Sequence, residues 1–277
     1  ISYSQLSCWQ RCQRLFRYRY VDLLVPIKLR SALEYGSALH QTAAVDQGRF
    51  TLPTFSAIWG AKFSELKTAY EDRGWETQDL EKQYKGGLEK AKRHFSLFLE
   101  RFPENIYTTY NPEFEVFYPD LYPDLDFHGI VDALAVLNSH VEQELGYLGE
   151  KVIVEYKTTS SYEIGNIELD LQGMLYQLCT SASHLYFFFL PNQLRVEPYV
   201  FSEAAISQAR RTLQAVQAQM EQVTYYEAAP EYYPFYPPSP QGTCFNWCEW
   251  GVLCLAEMNG GDWEFLAKEL YTRKEHR

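Results

Sequence analysis

The sequence predicts an α/β fold, a mixed central sheet flanked by helices, and three observations predict it. Five short segments, Phe114–Tyr118, Gly129–Leu137, Lys151–Thr158, His184–Leu190 and Val196–Phe201, alternate with period two or run apolar, as strands do. Longer segments of helical period precede, separate and follow them in the order αβββαββα, with helical additions. At 277 residues and 32.4 kDa, 46% hydrophobic and 16% aromatic, the chain can bury a large core and is not disordered. No apolar run is long enough to span a bilayer, so no membrane partner is expected.

Ser2–Tyr20 reads as the first helix, with Ser2 or Ser4 as N-cap and Leu6, Trp9, Leu15, Phe16 and Tyr20 as its apolar positions. Ser31–Ala44 reads as the second and carries His40. Thr54–Asp72 and Gln78–Arg101 have helical periodicity without an inward acid cluster, so residues 51–111 read as a helical insertion. Phe114–Tyr118 opens the strands, with Glu113 and Glu115 alternating against Phe114 and Val116. After Lys157, a helix over Leu169–Ser181 sets Gln172 and Tyr176 four residues apart on one face. Two strands follow, and Ser202 caps a long amphipathic helix to about Val223. Tyr225–Tyr236 is rich in Tyr, Pro and Glu, and the run from Pro237 to Gly242 breaks regular structure.

The net charge of −11 excludes a protein that coats nucleic acid through a general basic field. The charge is uneven: Arg11, Arg14, Arg17, Arg19, Lys28 and Arg30 against Asp22 give the first 30 residues +5. That segment is either a patch that holds a strand or a solvated helix face, and charge alone favours neither. No signal-peptide pattern opens the chain, so a cytoplasmic location is expected, and a few native residues are expected ahead of Ile1.

The chemistry concentrates between Phe127 and Ser160. Side chains alternate along a strand, so Glu155 and Lys157 point the same way, opposite Val152, Val154 and Tyr156. The strand before is apolar except for Asp132, a carboxylate that is costly there unless paired or bound to a cation. If the two strands pair as a hairpin, Asp132, Glu155 and Lys157 meet. Two hard oxygen ligands suit Mg²⁺ or Mn²⁺, and a lysine beside them orients or deprotonates water and stabilises a pentavalent phosphate. An isolated Glu-x-Lys is more often a surface ion pair.

The flanks decide between the two. Gly129-x-x-Asp132, then Val152-Ile153-Val154 and Glu155-x-Lys157-Thr158, resemble the G-x-x-D and (D/E)-x-K motifs of the PD-(D/E)XK nuclease superfamily, in particular its RecB-like branch. Upstream, Tyr35-Gly36-Ser37-Ala38-Leu39-His40 resembles that branch's G-x-x-h-H motif, and downstream Gln172-Gly173-Met174-Leu175-Tyr176 resembles its Q-x-x-x-Y motif. The resemblance implies a restriction-endonuclease-like fold in which His40, Asp132, Glu155 and the Tyr156 carbonyl hold Mg²⁺ or Mn²⁺. It implies that Lys157 positions the attacking water and that Gln172 and Tyr176 contact DNA. A further acid often stands on the first strand of such proteins, which makes Glu113 or Glu115 a candidate, although an outward-facing edge glutamate is the simpler reading.

Six cysteines are present, and Cys244, Cys248 and Cys254 cluster in an aromatic loop with Trp247 and Trp250. In a cytoplasmic chain such a cluster reads as zinc or iron-sulfur ligation rather than disulfides. Cluster-bearing RecB-like nucleases, including the AddB-type helicase-nucleases and the CRISPR-associated exonucleases, place one Cys before the nuclease motifs and three after. Cys12, in Cys12-Gln13-Arg14-Leu15-Phe16-Arg17-Tyr18-Arg19-Tyr20, resembles the early one, with Gln13 where those proteins carry proline and Cys8 as the alternative. The resemblance thus implies a [4Fe-4S] cluster on Cys12, Cys244, Cys248 and Cys254 that staples the chain ends. Cys179, on an apolar helix face, reads as a core residue.

The expectation is a single nuclease domain over 1–277, with a cluster-bearing extension (1–30 and 225–277) and a catalytic core (112–223). Its expected activity is metal-dependent hydrolysis of DNA, as an exonuclease on single strands or ends, with protein partners in repair, recombination or CRISPR adaptation. Trp9, Tyr18 and Tyr20 are candidates to stack on unpaired bases. The competing expectations are a non-catalytic DNA-binding or scaffold subunit and a zinc-stapled interaction domain.

Overall fold

The computed structural model describes residues 1–27, 31–122, 125–146, 148–163, 165–227, 238–239, 244 and 248–274. Trp247, most of the Tyr225–Tyr236 run and most of the loop after it lie outside the described residues. The chain divides into two compact units, one of Leu29–Pro119 and His128–Ala209, the other of Ile1–Lys28, Asp120–Phe127 and Arg210–Arg277.

The larger unit is built on a five-stranded sheet. Its strands are β2 (Tyr107–Tyr122), β3 (Leu125–Leu137), β4 (Val152–Thr158), β5 (Ser183–Phe189) and β6 (Leu194–Tyr199), adjacent in that order. β3 pairs antiparallel with β4, β4 parallel with β5 and β5 antiparallel with β6, so the sheet is mixed, as the element order predicts. One face presents Ala133, Ala135, Val152, Val154, Tyr156, Leu185, Phe187 and Phe189 to a buried core. Helices α3 (Ser31–Val45), α4 (Leu52–Glu71) and α5 (Gln78–Arg101) cover it. Phe50, Phe98 and Phe102 reach the rings of Tyr156, Phe187 and Phe189 at centroid separations of 4.9 to 6.3 Å among themselves and with the sheet. Edge-to-face contacts of this kind add to the area burial of a core already made of aromatic side chains.

The opposite face carries Glu155 and Lys157 and receives α8 (Leu171–Thr180). That helix opens on Asp170, whose side chain accepts the Gln172 N–H. The polar stretch between β3 and β4 contains a short helix, α6 (Ser139–Leu145), and α7 (Gly165–Glu168) precedes α8. Ser202 accepts the Ala205 N–H at the start of α9 (Glu203–Glu227), the capping role its sequence predicts.

The smaller unit begins with α1 (Tyr3–Arg11), closed at its start by a capping box in which Ser2 and Gln5 exchange side-chain bonds. The predicted helix over Ser2–Tyr20 is broken at Cys12, where the backbone is extended (φ −168°, ψ 117°). It resumes as α2 (Gln13–Phe16) and a π-helical turn over Arg17–Val21. β1 (Leu24–Pro26) then pairs antiparallel with β7 (Tyr271–Arg273), which follows α10 (Gly251–Met258) and α11 (Trp263–Leu270). Arg17 grips the Glu257 carboxylate with its two terminal guanidinium nitrogens, at 2.8 and 3.1 Å, and the Tyr18 hydroxyl donates to the same carboxylate. Chain start and chain end are therefore joined by backbone pairing and a bidentate ion pair. No helix among the described residues is long and apolar enough to cross a membrane.

Candidate active site

β3 and β4 pair in the register Ala133↔Val154 and Leu134↔Ile153, which makes Asp132 and Glu155 the next residues along the two strands. The Asp132 carboxylate accepts the Tyr156 N–H at 2.8 Å through one oxygen and stands 3.1 Å from His40 Nδ1 through the other. His40, on α3, places Nε2 2.7 Å from the Tyr156 carbonyl oxygen. Both ring nitrogens thus face atoms that only accept, which requires an imidazolium. Burial lowers the His40 pKa, but the bond to Asp132 and the charges of Asp132 and Glu155 more than offset this and hold it above its usual value.

Glu155 is 4% exposed. Its Oε2 lies 3.3 Å from Lys157 Nζ, while its Oε1 is buried without a hydrogen-bond partner. Burial pushes its carboxyl up to about 7, with Asp132 and Asp170 adding to the rise and Lys157 opposing it. Burial would lower Lys157, but the Glu155, Asp170 and Asp132 carboxylates raise it on balance, so it is an ammonium. Lys157 Nζ also donates to Gln172 Oε1 at 3.1 Å. Gln172 Nε2 donates to the Tyr176 hydroxyl at 2.9 Å, and that hydroxyl donates to the Ile130 carbonyl at 2.9 Å. A continuous relay therefore runs from β3 through α8 to the lysine, and Tyr176 itself is only 4% exposed.

All the residues singled out for the metal and the water stand together here. Sequence reasoning missed Asp170, which caps α8 and accepts the Tyr186 hydroxyl at 3.1 Å, so that Gln172 faces Lys157. The available signal was an aspartate directly ahead of a helical apolar pattern. Gly173 lets α8 approach β5: a Cβ there would overlap the Tyr186 hydroxyl and the Phe201 ring. His184, whose pKa burial lowers to about 4, donates from Nε2 to the Gly173 carbonyl at 2.9 Å. Gly173→Ala is expected to destabilise the protein by about 1–3 kcal/mol, read as a lower denaturation midpoint. Glu113 and Glu115 are exposed, the simpler of the two readings.

Among the described residues no three His, Cys, Asp or Glu side chains stand as a ready metal-binding group. The donor set nevertheless fits a hard cation: a buried carboxylate oxygen without a partner, a second carboxylate beside it and a backbone carbonyl. A cation would take over the charge now supplied by the His40 imidazolium. Because His40 and Glu155 bind protons more tightly folded than unfolded, their contribution to stability is full at low pH and lost as pH rises. For Glu155 the loss runs from its ordinary 4.5 through about 7. The melting temperature of metal-free protein is expected to fall across that window, and Mn²⁺ at the upper end is expected to restore it.

In the smaller unit, Cys12, Cys244, Cys248 and Cys254 all line one cavity of about 270 Å³, whereas Cys8 does not line it. Cys8 is buried and its thiol is pushed up to about 11, mainly by burial. Burial also raises Cys248 and Cys254, although Arg14 beside Cys254 opposes the rise. The four thiols share the cavity, but among the described residues no three of them stand close enough to form a ready metal-binding group.

No curated protein matches the chain in sequence. A solved structure described as the crystal structure of SSO0001 is 14% identical, with 70% of this chain and 81% of that chain covered at a TM-score of 0.38. The family model of the PD-(D/E)XK nuclease superfamily matches residues 1–255. That span takes in the histidine on α3, both strand acids, the lysine and the relay on α8, and on it the chain belongs to the PD-(D/E)XK nuclease superfamily.

Proposed function

We propose that this protein is a RecB-like, metal-dependent exonuclease that acts on single-stranded DNA or DNA ends. The observation that carries the reading is the buried Glu155 carboxylate, one oxygen 3.3 Å from the Lys157 ammonium and the other without a hydrogen-bond partner, with the Asp132 charge acting on it. Members of this superfamily are phosphodiester hydrolases that act on DNA with divalent metals such as Mg²⁺ or Mn²⁺. Asp132, Glu155, His40 and the Tyr156 carbonyl would hold the ion. When bound, it activates water and neutralises charge on the phosphate.

The remaining work falls to this chain's own groups. As an ammonium, Lys157 donates to the attacking water and to a phosphate oxygen rather than removing a proton. Gln172 fixes the direction of that ammonium, and Tyr176 fixes Gln172 against β3. Gln172 is half-buried and Tyr176 buried, which leaves Gln172 the more accessible of the two to a strand. The cavity thiols Cys12, Cys244, Cys248 and Cys254 would hold a [4Fe-4S] cluster whose role is structural, and a cytoplasmic place in repair, recombination or CRISPR adaptation, with protein partners, suits such an enzyme.

Linear and circular single strands of one sequence, incubated with Mn²⁺, test the reading. Loss of the linear strand alone, from an end, is expected. Cleavage of the circle would replace the exonuclease with an endonuclease. Protein purified without oxygen is expected to carry about four irons per chain, and stoichiometric zinc instead would overturn the cluster assignment.

A further inference from the structure

On β3 the residues facing away from the helical core are exposed just where the active site begins. Val131, Ala133 and Ala135 are at most 1% exposed on the core face, whereas Ile130, two residues before Asp132 on the other face, is 58% exposed. His128, two residues further back, is exposed as well, and its ring packs against Phe117 of β2 at 4.7 Å between centroids, tilted by 52°. Phe117 is itself 48% exposed. Side chains two apart on a strand are about 7 Å apart. From the Asp132 carboxylate outward the sheet therefore offers an aliphatic step and then an aromatic pair, each comparable in spacing with one nucleotide of an extended strand.

Nothing in the catalytic arrangement uses these three side chains, and a solvated strand face ordinarily carries polar groups. The strand beneath them is fixed, because the Ile130 carbonyl accepts the Tyr176 hydroxyl of the relay that orients Lys157. Glu115, two positions before Phe117 on β2, is exposed and gives the shelf an acidic border. Such a border repels phosphates, so what the shelf takes from a strand is its bases. Aromatic and apolar surfaces bind unpaired bases with little sequence preference, whereas bases in a duplex keep their faces stacked inside.

We propose that Ile130, His128 and Phe117 form a shelf that binds unpaired nucleobases of the DNA strand beside the cleaved phosphate, and so select single-stranded over duplex substrate. The shelf rests on the nuclease reading for its substrate, but its occupancy is measured without cleavage.

The test is fluorescence anisotropy of a labelled single-stranded oligonucleotide on the full chain in EDTA. The wild type is compared with Phe117→Ala/Ile130→Ala, and with His128→Ala as a second variant, each checked for an unchanged melting temperature. The double variant is expected to bind the strand about tenfold more weakly, with His128→Ala between it and the wild type. The same oligonucleotide made abasic is expected to bind both proteins equally, because the bases that the shelf holds are gone. Unchanged affinity in the variants, or an equal loss on intact and abasic strands, overturns the shelf, the second outcome pointing to a contact that does not involve bases. Wild-type cleavage run alongside separates the two claims. A wild type that cuts no DNA removes the nuclease reading, while cutting with unchanged strand affinity in the variants removes the shelf alone.

Discussion

Lys157→Ala is expected to reduce metal-dependent DNA cleavage by about 10²–10³-fold while leaving the protein folded, the range lost when one donor to the developing charge is removed. The substitution removes the ammonium that faces both Glu155 and Gln172. Removing one partner of a buried ion pair ordinarily destabilises because the other charge is stranded. Glu155 escapes that cost: burial already raises its carboxyl toward neutrality, and without Lys157 it takes up a proton. Gln172 loses one bond but keeps its amide on Tyr176. Activity should therefore collapse while the melting temperature shifts little. A variant that unfolds at the assay temperature would contradict this division of roles.

Asp132 separates structure from chemistry in a different way. Its one oxygen accepts the Tyr156 N–H, and its other faces His40. Asp132→Ala leaves the Tyr156 N–H without that acceptor, a cost of about 1–3 kcal/mol for a buried donor. Asp132→Asn keeps the acceptor, turns its NH₂ toward Nδ1 and lets His40 become neutral. Both variants are expected to lose cleavage by at least about 10²-fold through weakened cation binding. Only the alanine variant should unfold at clearly lower denaturant. Equal stability of the two would show that the Tyr156 bond contributes nothing. Retained activity in Asp132→Asn would remove the aspartate from the ligand set.

The core of the site was legible because period two is unambiguous over Val152–Thr158. Alternation alone put Glu155 and Lys157 on one face, and an apolar partner strand with one acid left Asp132 a single place to go. That the sheet is mixed was legible from the same pattern, but its strand order was not. What was not legible depends on contacts. Helical periodicity continues through Cys12, and nothing local announces the extended residue that breaks α1 from α2 there. β2 starts at Tyr107, well before Phe114, and runs on through Asn111-Pro112 with Glu113 in the left-handed region (φ 47°). The spacing of Gln172 and Tyr176 showed a shared helix face. It could not show that Tyr176 turns inward to donate to the Ile130 carbonyl of β3, a contact between residues 46 apart in sequence. Equally hidden were β1 pairing with β7 and Arg17 on Glu257, contacts made by residues roughly 240 apart in sequence and distinct from the expected thiol cluster.

The most direct test of the central claim is incubation of the purified chain with end-labelled single-stranded DNA, with Mn²⁺ or EDTA. A ladder of shortened products that appears only with the metal, and is absent for Lys157→Ala, is the predicted result. An intact strand in every lane, from a folded protein that binds Mn²⁺, would contradict the account and leave the nuclease fold serving as a binding scaffold.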